Sequence, residues 1–217
     1  MGKKKLNIHV PEYTLGEEIF NSISHGIGAL LSIAALVLMV IKAEGILAEA
    51  TVCLFGISLI ILYTFSCIYH SLSRELEGKK VLRVLDHCSV FLLVFGTYIP
   101  AALLGVGGTL GKVLLAVVAV FTAMGIVLTC IGIDRFNKLQ IACHLINGWS
   151  IAFGLPRLLQ TAGPQGVFWM VLGGIMYSVG SVLYALGAKR RWSHSIFHVF
   201  CLLGSFCHFW AIYQYLL

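Results

Sequence analysis

Seven stretches of this chain carry no Asp, Glu, Lys or Arg. They cover 19–41, 50–73, 87–111, 113–133, 139–156, 158–188 and 192–217, or 23, 24, 25, 21, 18, 31 and 26 residues. A helix needs about 20 apolar residues to cross a hydrocarbon core of ~30 Å, so the windows predict seven transmembrane helices. The runs are unbroken rather than alternating, which argues for helices and against lipid-facing barrel strands. The 158–188 window is too short for two spans, so its first residues, with Gly163 and Pro164, are expected to form a loop. The expected fold is therefore an all-α integral membrane bundle of seven transmembrane helices.

Composition supports this reading. Of 217 residues, 59% are hydrophobic and 11% charged, and the mean hydropathy is +0.94. A soluble domain carries about 25% charged residues, so there is too little charge here to wet a soluble surface. A soluble enzyme, a disordered tail and a nucleic-acid binder are excluded. The net charge of +6 is then an orientation signal rather than a nucleic-acid footprint.

Sorted by loop, the cations divide sharply. Lys3, Lys4, Lys5, Arg74, Lys79, Lys80, Arg83, Arg135, Lys138, Lys189, Arg190 and Arg191 fall on one side of the predicted topology, and only Lys42, Lys112 and Arg157 on the other. The Lys/Arg excess marks cytoplasmic loops. This places the N-terminus in the cytoplasm and the C-terminus outside. Residues 1–18 form a polar cytoplasmic tail, and 19–217 form the membrane domain. A secretory signal would put a short apolar stretch after its basic residues; here the first run has full spanning length and is expected to be retained. Thr14-Leu-Gly-Glu17 has the form of a capping box, which starts the first helix near Leu15. Pro100 is expected to kink the third helix, and Trp149, Trp169, Trp192 and Trp210 fit interfacial anchors.

Few ionisable groups lie at membrane depth, and such groups mark functional positions by default. They are His25, His70, Asp86, His87, His144, His194, His198 and His208. The topology sets His70, Asp86, His194 and His198 near one depth, toward the inner leaflet. Ser66-x-x-x-His70 and His194-x-x-x-His198 are i, i+4 pairs, with Cβ atoms about 5–6 Å apart on one helical face. Two imidazoles so spaced can chelate a metal. A third ligand, for which His70 is the obvious choice, would leave one open position, the arrangement of a catalytic zinc. Asp86 could orient or deprotonate a water there, and Ser66 could hydrogen-bond a substrate oxygen or that water. Histidines that only hydrogen-bond across helices would show the same spacing. His25 is expected to pack with Asn21, His87 to flank the site, and His144 to hydrogen-bond another helix. His208 lies about 15 Å deeper than His198 by helical rise and is too far to join. The seven cysteines fall within the spans without a C-x-x-C and are read as small apolar filler.

GEEIFNSISHGIGALLSIAALVL, SCIYHSL, LDHCSVFLLVFGTYIP and HSIFHVFCLLGSFCHFWAIY resemble the signature segments of the bacterial hemolysin III family. That family belongs with the progestin and adipoQ receptors, which include the adiponectin receptors. The similarity extends over nearly the whole chain. It implies a zinc ion near the cytoplasmic side, held by His70 of the S-x-x-x-H motif and by His194 and His198 of the H-x-x-x-H motif. It further implies Asp86 on the metal's water with Ser66 beside it, and residence in the bacterial inner membrane. The long N-terminal domain of the eukaryotic receptors is missing, so their soluble-partner signalling does not carry over.

On activity the resemblance implies three classes. One is a zinc-dependent, ceramidase-like hydrolase of lipid amides or esters, with membrane lipids as substrate. The second is a pore-forming haemolysin. The third is a receptor or regulator of membrane lipid composition with structural zinc. A pore needs polar residues along its length and a proton-coupled transporter needs ionisable groups near the midplane. In this chain they gather toward one leaflet, which favours the hydrolase.

Overall fold

The computed structural model describes residues 8–187 and 190–217; Lys3, Lys4, Lys5 and Lys189 lie outside them. The described residues form helices and connecting segments, without strands. The helices are α1 (Leu15–Lys42), α2 (Ile46–Ser71), α3 (Glu77–Pro100), α4 (Gly108–Gly132), α5 (Asn137–Trp149), α6 (Leu155–Gly187) and α7 (Ser193–Tyr215). A π-helical turn, Ala101–Val106, extends α3, and a 3-10 turn, Ser150–Gly154, joins α5 to α6. Among the described residues, six continuous helical stretches are long and apolar enough to cross a membrane.

The first helix begins where the capping box puts it. The Glu17 N–H donates to Thr14 Oγ1, and the Glu17 carboxylate accepts from the Thr14 N–H at 2.9 Å. The packing of α1 is inside out for a soluble helix. Its buried positions include Glu17, Asn21, His25, Gly28 and Ser32, while Ile23, Ile27, Leu30 and Leu31 are exposed. A helix that turns its polar stripe inward and its aliphatic face outward is built for a hydrocarbon solvent. This is a multi-pass membrane protein.

Of the six stretches, Asn137–Leu186 is 50 residues long, which as one straight rod would measure ~75 Å. It is not straight. The indole N–H of Trp149 donates to Ser178 Oγ at 3.0 Å, although residues 29 apart on a straight helix are separated by ~43 Å. The chain turns back between them at Gly163, the non-helical residue of α6, with φ 66° and ψ 179°. The expected loop at Gly163 and Pro164 is therefore a single-residue reversal. Helix continues through Leu158 to Ala162 on one side and resumes at Pro164 on the other. Glycine permits the backbone to turn, and Pro164 starts the following segment with no N–H to leave unpaired.

The same device recurs at the same end of the bundle. Gly107 (φ 65°, ψ 179°) joins the π turn to α4, and Gly45 (φ 89°, ψ 154°) joins α1 to α2. The bend expected at Pro100 is absorbed by the π turn that follows it, in which Gly107 N–H donates to Ala102 O at 2.9 Å. Each helix packs on its neighbours in sequence, and α7 returns against α1 to close the ring. Tyr63 of α2 hydrogen-bonds Ser205 of α7 at 2.6 Å across the middle.

The backbone at Gly163 lies in a region that is essentially glycine's alone, costing about 1–3 kcal/mol for other residues. Gly163→Ala should lose about that much stability in chemical denaturation from mixed micelles. Gly148→Ala, at a helical position with open space around the added carbon, should be neutral or stabilising by up to ~1 kcal/mol.

Candidate metal centre

The last turn of α2 and the first two turns of α7 meet at one end of the bundle. His70, His194 and His198 converge there, each at most 6% exposed. His194 Nε2 lies 3.1 Å from His198 Nε2 and 3.4 Å from His70 Nε2, and the three rings can hold a metal ion. Ligands placed tetrahedrally at the Zn–N distance of 2.0–2.1 Å are about 3.3 Å apart, so both separations match that edge. The i, i+4 pair on α7 sets two nitrogens side by side, and α2 brings a third near them.

The ring of His70 is fixed from behind. Its Nδ1 lies 2.6 Å from Glu18 Oε2. A carboxylate only accepts, so Nδ1 carries the proton and Nε2 turns a lone pair toward the other two histidines. Glu18 also pairs with Lys79, which donates as well to Leu72 O at 2.8 Å. In the sequence Glu18 marks only the edge of a charge-free window. Its role depends on a contact between residues 52 apart, which spacing within one helix cannot reveal.

His25, expected to pack with Asn21 one turn away, stacks its ring on His198 at 3.7 Å and 19° and meets Tyr63 edge-on. Glu18, Asn21 and His25 follow one another at spacings of three and four on α1, and that polar stripe was the available signal for α1's part in the site. His144 makes its interhelical contact as a ring stack on Phe91 at 3.6 Å rather than as a hydrogen bond. His208 lies apart from the triad and hydrogen-bonds Met170 O at 3.1 Å. Four of the seven cysteines are buried, while Cys130 is exposed.

A cavity of about 150 Å³ runs into the bundle from His194 and His198. Asp86, Ser66, His194 and His198 line one end, Leu93, Val94, Leu145 and Phe197 the apolar middle, and Tyr98, Trp149 and His208 the far end. Asp86 and Tyr98 are 12 residues apart on α3, so the space runs ~18 Å along that helix. Ser66 lies against the Asp86 carboxyl. His87 is more than a flanking residue: it lines the same cavity, with Nδ1 on Arg83 O at 2.8 Å and Nε2 on Tyr184 Oη at 3.0 Å. Its bond to Tyr184 joins residues 97 apart, out of reach of local pattern.

The opposite side of the triad is covered by the segment before α1. Tyr13 stacks on His194 with centroids 4.8 Å apart and leans on His70 at 5.7 Å. Partial burial raises its phenol pKa above the ordinary value. The segment is held by the Glu12–Arg74 ion pair at 2.5 Å, by Arg74 on Val10 O at 3.1 Å, by Arg83 on His9 O, and by the His9 N–H on Asp134 at 3.2 Å. The Arg74 guanidinium holds the Glu12 carboxyl below the usual carboxylate range. Arg83 also pairs with Asp134 at 2.8 Å.

Comparison with known proteins adds an independent line. A Haemolysin-III related family model matches residues 13–209. The chain is 37% identical to "Hemolysin-3" of Bacillus cereus over 204 residues, covering 93% of this chain and 92% of that protein. It is 36% identical over 206 residues to the "Hemolysin-3 homolog" of Bacillus subtilis (strain 168), covering 94% and 96%. A more distant likeness, 27% over 183 residues, joins it to the "Adiponectin receptor protein" of Drosophila melanogaster, covering 73% of this chain and 40% of that one. With the match running from the Tyr13 segment well into α7, the chain belongs to the Haemolysin-III related family.

Proposed function

We propose that this protein is a zinc-dependent hydrolase of lipid amides or esters, ceramidase-like in chemistry, that crosses the bacterial inner membrane seven times with its N-terminus inside. The observation that carries the reading is the convergence of three buried imidazoles, two of whose separations match a zinc-ligand edge, with His194 and His198 lining a largely apolar cavity that also holds the Asp86 carboxyl. Nitrogen donors of this kind suit zinc among the available metals. His70, His194 and His198 would hold it.

The reversal at Gly163 supports the seventh span, since it divides the 50-residue stretch into two lengths that each reach across a bilayer. Charge supports the orientation. Lys42, Lys112 and Arg157, the cations of the minority side, lie near the three glycine turns. The connections at the other end carry Arg74, Lys79, Lys80, Arg83, Arg135, Arg190 and Arg191. The triad lies at this basic, cytoplasmic end.

When bound, zinc supplies a Lewis acid and a water acidified toward a pKa of about 7. Asp86, on the cavity wall, would act as the base that takes a proton from the attacking water. Asp86 then returns the proton to the leaving nitrogen or oxygen as the amide or ester bond breaks, giving a fatty acid and an amine or alcohol. Ser66 keeps the Asp86 carboxyl turned toward the reacting end. Leu93, Val94, Leu145 and Phe197 give the acyl chain a dry channel, which both binds the lipid and strengthens the polar interactions at its head. With ionisable groups gathered at one end, the cavity suits a lipid substrate better than an ion path, and haemolysis by relatives is read as secondary.

Metal analysis of protein purified without chelator should find about one zinc per chain, and the His194→Ala, His198→Ala double variant should hold none. Equal zinc in both would sink the site. With a ceramide-type substrate, release of free fatty acid should fall by about 10²–10⁴-fold in Asp86→Ala while its zinc content stays unchanged; full activity in that variant would remove Asp86 as the base. Leakage from protein-free liposomes that ignores chelators would instead favour the pore.

Orientation is checked separately with a membrane-impermeant thiol reagent on intact cells. In a background with the native cysteines replaced, a cysteine at Glu44 should label and one at Glu75 should not. The reverse pattern would invert the topology.

A further inference from the structure

We propose that Glu18 is a positioning residue for the metal ligand His70, and that Lys79 holds Glu18 in place for that task. The inference rests on the reading of the triad as a metal site and assigns part of its affinity to a residue outside the ligand set.

Three observations carry it. His70 Nδ1 lies 2.6 Å from Glu18 Oε2 while its Nε2 faces His194 Nε2 at 3.4 Å. The carboxylate therefore decides both which nitrogen carries the proton and which way the ring faces. A carboxylate behind a ligating imidazole also raises the basicity of the opposite nitrogen. Glu18 itself is not free to turn. Its second oxygen is engaged by Lys79, whose side chain is 1% exposed. Lys79 donates as well to Leu72 O at 2.8 Å, just past the end of α2, and sits over the Tyr69 ring at 5.2 Å.

The three groups come from three helices. Glu18 lies in the first turn of α1, His70 in the last turn of α2 and Lys79 in the first turn of α3. A salt bridge placed there only to tie helices together would not need an imidazole at its acidic end. The triad is also asymmetric. Among the described residues neither His194 nor His198 has a carboxylate on its ring. His70 is thus the one ligand with an anion behind it, and the donor that Glu18 strengthens.

The test is zinc affinity of the full-length protein in detergent, measured by competition with a chromophoric chelator, together with the visible spectrum of the cobalt-substituted form. Glu18→Gln keeps the shape of the side chain and removes its charge. It should weaken zinc binding by about 10–100-fold and shift the cobalt bands, and Lys79→Met should move both in the same direction by less. If Glu18→Gln binds zinc within twofold of the unaltered protein, with the same cobalt spectrum, while losing thermal stability, the contact is a helix tie and the proposal is overturned. If the unaltered protein itself takes up no zinc, the metal reading fails and this inference falls with it; the two failures are therefore told apart by the reference measurement. Should the variants not fold, the metal-free unaltered protein decides by nitrogen NMR of labelled histidine: a proton on His70 Nδ1 supports the assignment, and one on Nε2 overturns it.

Discussion

Bringing three imidazole nitrogens within 3.4 Å steps of one another inside an apolar bundle is the constraint on which the rest of this structure turns. Each ring must present a lone pair or a single shared proton to the others, so each must be held in one tautomer and one orientation. No local feature of α2 or α7 can do that alone. His194 and His198 set their own spacing because they are one turn apart on the same helix, but the distance to His70 is fixed only when α2 and α7 pack. Tyr63 on α2 and Ser205 on α7, joined at 2.6 Å, help set that separation further into the bundle. The first turn of α3 contributes through Lys79 and Glu18.

In this arrangement α1 is the organising helix although it donates none of the three nitrogens. Its inward stripe supplies Glu18 behind His70 and His25 stacked on His198. An aliphatic stripe would have packed as well, at lower desolvation cost. A polar stripe on a helix whose outer face is Ile23, Ile27, Leu30 and Leu31 makes sense where the interior, not the exterior, is where hydrogen bonds are to be had.

Much of this was legible before any coordinates. The absence of charge over spanning lengths gave the helices, and the capping box at Thr14 and Glu17 gave the start of α1 to the residue. Two i, i+4 pairs pointed to the meeting place of α2 and α7, because helical periodicity converts spacing directly into geometry. What stayed hidden was whatever depends on two helices at once. Glu18 looked like the last polar residue before a span, and His87 like a neighbour of Asp86, until packing put them beside His70 and Tyr184. The turn at Gly163 is tighter than the loop its Gly-Pro pair suggests, since one glycine with positive φ does the work of several residues. His144 was foreseen as a hydrogen-bonding partner and found a ring face instead, a choice that only the neighbouring Phe91 could decide.

The segment that carries Tyr13 has a consequence in time as well as in space. Its anchors are Arg74 and Arg83 around the start of α3, Asp134 after α4, and the ring of His194 at the start of α7. Synthesis runs from the N-terminus, so the segment before α1 cannot complete its final contacts until almost the last helix has been made. Its stack on His194 forms last. Once Tyr13 has seated, that face of the His70 and His194 rings is covered.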